Sequence, residues 1–195
     1  MFLLTIRSVV NALAQSLHRM GDDLDMPGEF QGLPLHVLLV HGVIVLIPLA
    51  ALLTVLSAVW PAARRRLGII TPLVGLVALI SVPVATEAGE WLYERVFITP
   101  LIQAHADLGS TMKWFAIGLF VASLLAWGVP VLLARRSTQP PPPWIGVVVA
   151  IVAVVLSGAA VVQVVRVGEA GSRAVWTNSF CAEPLGADGT CPGRG

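Results

Sequence analysis

The side chains with chemistry to offer are few, and they recur. His36 and His41 lie in "LHVLLVHG", Glu87 and Glu90 in "TEAGEW", His105 and Asp107 in "HADLG", and Glu169 in "VGEAGS". Imidazole nitrogens and carboxylate oxygens ligate zinc and non-haem iron, and two imidazoles can ligate the iron of a b-type haem. His36 and His41 are five positions apart, ~140° of rotation on an α-helix, so they cannot both point squarely at one ligand and one ligand per helix is expected. His105 stands eight positions before Lys113, ~12 Å of helical rise, which matches the level of His36 better than that of His41. His36, His41 and His105 are therefore the candidates to hold a cofactor. His36, His105, Glu87 and Glu169 form a set suited to zinc or non-haem iron. The other reading of the same residues is architectural: imidazoles at helix ends hydrogen-bond carboxylates or backbone carbonyls and hold helices together. No catalytic residue is expected. Ser110 and Thr111 lie near His105 and Asp107 without an oxyanion motif or nucleophile elbow, and the glycine of "VATEAGEW" makes no phosphate loop.

The elements that must position these residues follow from composition. With 56% hydrophobic and 12% charged residues, the chain reads as an all-α integral membrane protein, a four-helix bundle. Stretches at Val40 to Trp60, Leu67 to Thr86, Trp114 to Ala134 and Trp144 to Val165 are each long and apolar enough to cross hydrocarbon. The connections after the first and third carry Arg64, Arg65, Arg66 and then Arg135, Arg136, with no acid in either, while all eleven acids lie in the other segments. The positive-inside rule makes the arginine loops cytoplasmic and puts both termini outside, with the ionisable candidates gathered at the outer boundary. A net charge of +1 without an external basic patch argues against nucleic acid as a partner.

Around that core, residues 1–20 read as an amphipathic helix in the outer interface, with Arg7, Asn11 and Gln15 on one stripe and His18 belonging to the same helix. An acidic linker, 21–33, should be a loop; the spanning domain covers 34–176; and 177–195 form a Gly/Pro-rich outer tail in which Cys181 and Cys191 are expected to pair as a disulfide. Pro48, Pro72, Pro83 and Pro130 fall in or beside spans, and "STQPPPPW" reads as an extended spacer. Thr99 and Pro100 make an N-cap and first turn for a third helix that starts well outside the lipid. Ser57, Thr71, Ser81, Ser123 and Ser157 are small and expected to be satisfied within their own helices. The order histidine, inner arginines, "EAG" occurs twice. That pattern suggests duplicated helical hairpins related by an axis along the membrane normal.

At "LPLHVLLVHG", "HADLG" and "VVRVGEAGSRAVW", from about Gly32 to Trp176, the chain resembles the bacterial family catalogued as domain of unknown function 2231. The family's usual proline after the first histidine is replaced by Val37, and its later glycine motif often carries a histidine where Glu169 stands here. The resemblance implies a four-helix protein of the bacterial cytoplasmic membrane. Fusion of some members to Rieske or cytochrome-like domains implies redox company. Two functions remain open at this point. One is a non-enzymatic accessory or structural subunit, in contact with lipid and with other membrane subunits or copies of itself, beside respiratory or other cell-envelope redox complexes. The other is a haem- or metal-binding electron-transfer protein with its histidine site at the outer face.

Overall fold

The structure, a computed structural model, describes residues 28–136 and 142–177 together with residues 11, 12, 15 and 16. The last four are helical and exposed; the rest of the expected interfacial helix, and the tail with Cys181 and Cys191, lie outside the described residues. A short hairpin, β1 (Glu29–Phe30) and β2 (Leu33–Pro34), leads into α1 (Leu35–Val59). Then follow α2 (Pro61–Leu67), α3 (Ile70–Tyr93), α4 (Pro100–Arg136) and α5 (Pro143–Trp176). Four of these, α1, α3, α4 and α5, are long and apolar enough to cross a membrane.

Local chemistry sets the boundaries. A residue before proline is driven out of the helical region, and Trp60, at φ −122° and ψ 103°, breaks α1 from α2 just ahead of Pro61. Gly68, with φ +49°, ends the arginine-bearing α2. Thr99 caps α4 as its sequence suggests, its hydroxyl accepting from the Ile102 amide at 3.3 Å. Pro48, Pro83 and Pro130 lie inside helices, whereas Pro72 falls in the first turn of α3, where its missing N–H costs little. The helices outrun the stretches that hydropathy marks: α1 begins at Leu35, and α4 and α5 are 37 and 34 residues long. Hydropathy registers the lipid-crossing part, but backbone hydrogen bonding carries each helix on into the interface.

The segment read as a loop ends in structure. Gln31 and Gly32 both take positive φ, 52° and 78°, as a two-residue hairpin turn requires. The Gly28 carbonyl accepts from the Leu35 amide at 3.0 Å. A Cβ on Gly28 would lie 1.8 Å from the Trp91 indole, so this glycine lets the hairpin rest on the end of α3 and fixes where α1 starts.

In the bundle, α1 packs on α3 and α5, and α4 packs on the same two helices, with α1 and α4 also meeting across the diagonal. The buried residues are mostly small: Ala50, Ala51, Ala78, Ala116, Ala122, Ala126, Ala153 and Ala160, with Gly75, Thr54, Ser57, Thr71, Ser123 and Ser157. Large aliphatics such as Val45, Leu52, Val77, Ile151, Val155 and Val165 face outward. This is the distribution expected where lipid solvates the large side chains and helices hold together by close backbone approach.

Burial also repeats between the halves. Shifted by 69 positions, as His36 is from His105, the buried Val43, Ile47, Ala50, Thr54 and Ser57 of α1 fall on Met112, Ala116, Leu119, Ser123 and Ala126 of α4, all buried. Shifted by 82, as Gly89 is from Gly171, Thr71, Gly75, Ala78 and Val82 of α3 fall on Ala153, Ser157, Ala160 and Val164 of α5. The two hairpins therefore bury equivalent faces.

The small polar residues are less self-contained than expected. Ser81 and Ser123 do bond carbonyls of their own helices, those of Ala78 and Phe120. Ser57 and Thr71 instead bond each other across helices at 2.8 Å. Thr54 Oγ1 and Ser157 Oγ are buried without a hydrogen-bond partner among the described residues. A Cβ on Gly75 would come within 2.7 Å of Ser123 Oγ. Gly75→Val should accordingly lower the thermal stability of the detergent-solubilised protein by about 1–3 kcal/mol through overpacking, while Val45→Leu on the lipid face should change it by less than about 0.5 kcal/mol. Equal effects of the two substitutions would refute the close-packed interior.

Candidate functional site

His36 occupies the first turn of α1, where the Gly28 to Leu35 bond has already fixed the helix start. Its Nδ1 donates to the Ala85 carbonyl on α3 at 2.8 Å, and its ring lies over Gly89, where a Cβ would come within 2.9 Å of Nδ1. His105, in the second turn of α4, repeats the arrangement on α5. Its Nδ1 donates to the Val167 carbonyl at 3.1 Å, and its ring lies over Gly171, where a Cβ would come within 3.0 Å of Cε1. In each hairpin the accepting carbonyl is four residues before the glycine, so each imidazole spans one turn of its partner helix.

The chemistry of these contacts fixes the tautomer. A carbonyl can only accept, so each Nδ1 carries the proton, and in the neutral ring Nε2 keeps its lone pair. The two rings meet with centroids 6.1 Å apart at an interplanar angle of 72°. Both are half-buried.

The remaining candidates are placed differently. His41 is exposed, and its Nδ1 bonds the Val37 carbonyl one turn back on its own helix. Glu169 is exposed and pairs with Arg173 at 2.6 Å, and Asp107 accepts from Gln103 at 2.8 Å. Glu87 lies half-buried and Glu90 exposed near the end of α3, with Arg95 stacked 4.0 Å from the centre of the Trp91 ring. Among the described residues, no three of the His, Cys, Asp and Glu side chains gather where they could hold a metal ion. The structure thus brings His36 and His105 together and leaves His41 and Glu169 outside the pair. His18 lies outside the described residues.

Ala85, Gly89, Val167 and Gly171 carry the site and were not singled out from sequence. The signal was present: "EAG" is the repeated motif, and the atom that matters to the imidazole is the hydrogen in place of a glycine side chain. Gln163 was also missed. It is buried on α5 and bonds Thr111 Oγ1 at 2.9 Å and the Leu108 carbonyl at 3.3 Å, tying α5 to α4 within two turns of His105.

Four apolar helices closed around a small-residue interior, with a symmetric imidazole pair at one end, define an integral membrane protein. The chain belongs to the family described as "Predicted membrane protein (DUF2231)", whose model matches residues 32–183. Comparison with curated proteins and with solved structures found no match.

Because His36 and His105 each tie two helices together, His36→Ala and His105→Ala should each cost about 1 kcal/mol of stability. His41→Ala, on an exposed intrahelical bond, should change it by less than about 0.5 kcal/mol. Thermal unfolding in detergent measures all three, and a His41→Ala loss as large as the others would contradict the assignment.

Proposed function

We propose that the chain is a non-enzymatic accessory or structural subunit of the bacterial cytoplasmic membrane, working beside respiratory or other cell-envelope redox complexes. One observation carries this reading: His41 stands at the outer edge of the first span, and no ionisable side chain lies deeper in any span, between His41 and Arg64, from Leu67 to Thr86, from Trp114 to Ala134 or from Trp144 to Val165. Proton relays and ion paths need such groups at mid-membrane. The interior here holds only neutral residues, so the protein's chemistry is confined to its histidine end. In this reading the arginine-bearing connections face the cytoplasm, both termini lie outside, and the outward aliphatic faces meet lipid and partner subunits. The tagged chain, extracted from its native membranes in mild detergent, should co-migrate with subunits that carry haem or iron–sulfur centres; migration alone at its own mass would count against it.

A second reading, haem- or metal-binding electron transfer, is favoured by the His36–His105 pair. Their ring centroids are 6.1 Å apart, close to the spacing of two imidazoles that share one metal at ~2.0–2.1 Å from each ligating nitrogen. The residues that would hold it are His36 and His105, with zinc, non-haem iron or a b-type haem as the class of centre. His41, Glu87 and Glu169, the other candidates from sequence, would act outside that pair. The absorption spectrum of the purified protein tests this: a Soret band after haem supply supports haem, and an unchanged spectrum with no bound metal opposes the reading.

Two placements complete the proposal. A cysteine at Arg65, in a chain with Cys181 and Cys191 replaced, should be protected from an impermeant thiol reagent in intact cells, and labelling there would reverse the orientation. Cys181 and Cys191 should resist alkylation without reductant, as a short external loop closes readily; two reactive thiols per chain would exclude the disulfide.

A further inference from the structure

We infer that His36 and His105 form one composite transition-metal site, shared by the two halves of the chain, in which Nε2 of each ring is the ligand and Gly89 and Gly171 are positioning residues. The inference rests on the second reading above and narrows it to one pair of ligands and one pair of supports.

Three observations converge on it. First, each ring is held by the arrangement that orients a metal-ligating histidine: Nδ1–H is committed to a backbone carbonyl, Ala85 at 2.8 Å or Val167 at 3.1 Å, so the lone pair is on Nε2. Second, the rings come from different hairpins and meet edge to face with their centroids 6.1 Å apart, so the pair exists only when the two halves assemble. Third, the floor under each ring is a glycine on which a methyl would displace the imidazole: a Cβ would stand 2.9 and 3.0 Å from His36 Nδ1 and Cε1 at Gly89, and 3.0 and 3.1 Å from His105 Cε1 and Nδ1 at Gly171, where the ring must give by a few tenths of an ångström. A ring pushed off that floor loses its carbonyl bond, so the same contact that admits the ring also aims it.

The ligand set selects the class of guest. Two imidazoles suit a first-row transition metal such as copper, zinc, nickel or iron. No third protein ligand joins them among the described residues, so the guest that suits the pair is one with ligands of its own, either waters on a bare ion or the four porphyrin nitrogens of a haem. The shared chemistry is a metal centre completed by two neutral imidazoles, and the approximate symmetry of the hairpins makes the two ligands equivalent.

The full-length protein, purified in detergent and stripped with chelator, is titrated with Co2+ and Cu2+ in one arm and with hemin in the other. Metal or haem per chain is measured, along with the ligand-field or Soret spectrum and the unfolding temperature. One centre per chain is expected, in whichever arm supplies the guest. His36→Gln and His105→Gln, which retain a donor for the carbonyl, should each abolish stoichiometric binding. Gly89→Ala and Gly171→Ala should each weaken it by about 10- to 100-fold, in the range seen when the groups that orient metal ligands are removed, and should shift the spectrum of the bound centre. A purely structural role would not produce that shift. His41→Ala should bind as the native chain does. Binding that survives both glutamine variants but is lost in His41→Ala would overturn the composite site while leaving the second reading standing. Absence of stoichiometric binding in both arms, with the protein folded, would overturn both. A loss in one glycine variant and none in the other would refute the equivalence of the halves.

Discussion

Lipid tails solvate a leucine as well as another leucine does, so apolar side chains alone give transmembrane helices no reason to stay together. What holds this bundle is close approach, and close approach demands small residues where helices meet. An interior rich in alanine, glycine, serine and threonine, with most valines, leucines and isoleucines turned outward and a few such as Ile47 and Leu119 buried, is the direct result. The histidine pair depends on the same constraint. A half-buried imidazole can lie flat across a neighbouring helix only where that helix offers a glycine and an accepting carbonyl one turn earlier, and both halves supply that combination.

The duplication is clearest where it is most constrained. Positions that bury against the bundle axis correspond across the halves, while the surroundings have diverged. The position equivalent to Arg173, which pairs with Glu169, is Trp91. Trp91 instead receives Gly28 of the hairpin and the Arg95 guanidinium. One half has therefore used this position to anchor the segment that precedes α1, and the other to neutralise a carboxylate at the surface. Likewise Gln163, equivalent to Ser81, reaches across to α4, whereas Ser81 bonds the Ala78 carbonyl of its own helix. Packing at the axis tolerates little change, since the side chains there are small and buried against neighbouring helices; the rim is free to specialise.

Much of this was written in the residues themselves. A charge-free run longer than the bilayer's hydrocarbon thickness has no stable state in lipid other than a helix, because every backbone group must be satisfied within the segment. Hence the spans at α1, α3, α4 and α5 and the cap at Thr99 could be read directly, and the matched level of His36 and His105 followed from helical rise alone. The repeated "EAG" was legible as a repeat. Which of its letters mattered was not, because a glutamate advertises its chemistry in sequence and a glycine acts only through what it lets another residue do. The tertiary structure decided that point, and it also decided that His41 turns back along its own helix, that Ser57 bonds Thr71 between helices, and that the hairpin rests on Trp91. Each of these depends on the distance between segments far apart in the chain. Periodicity fixes the face a residue occupies on its helix, but only packing fixes what that face meets.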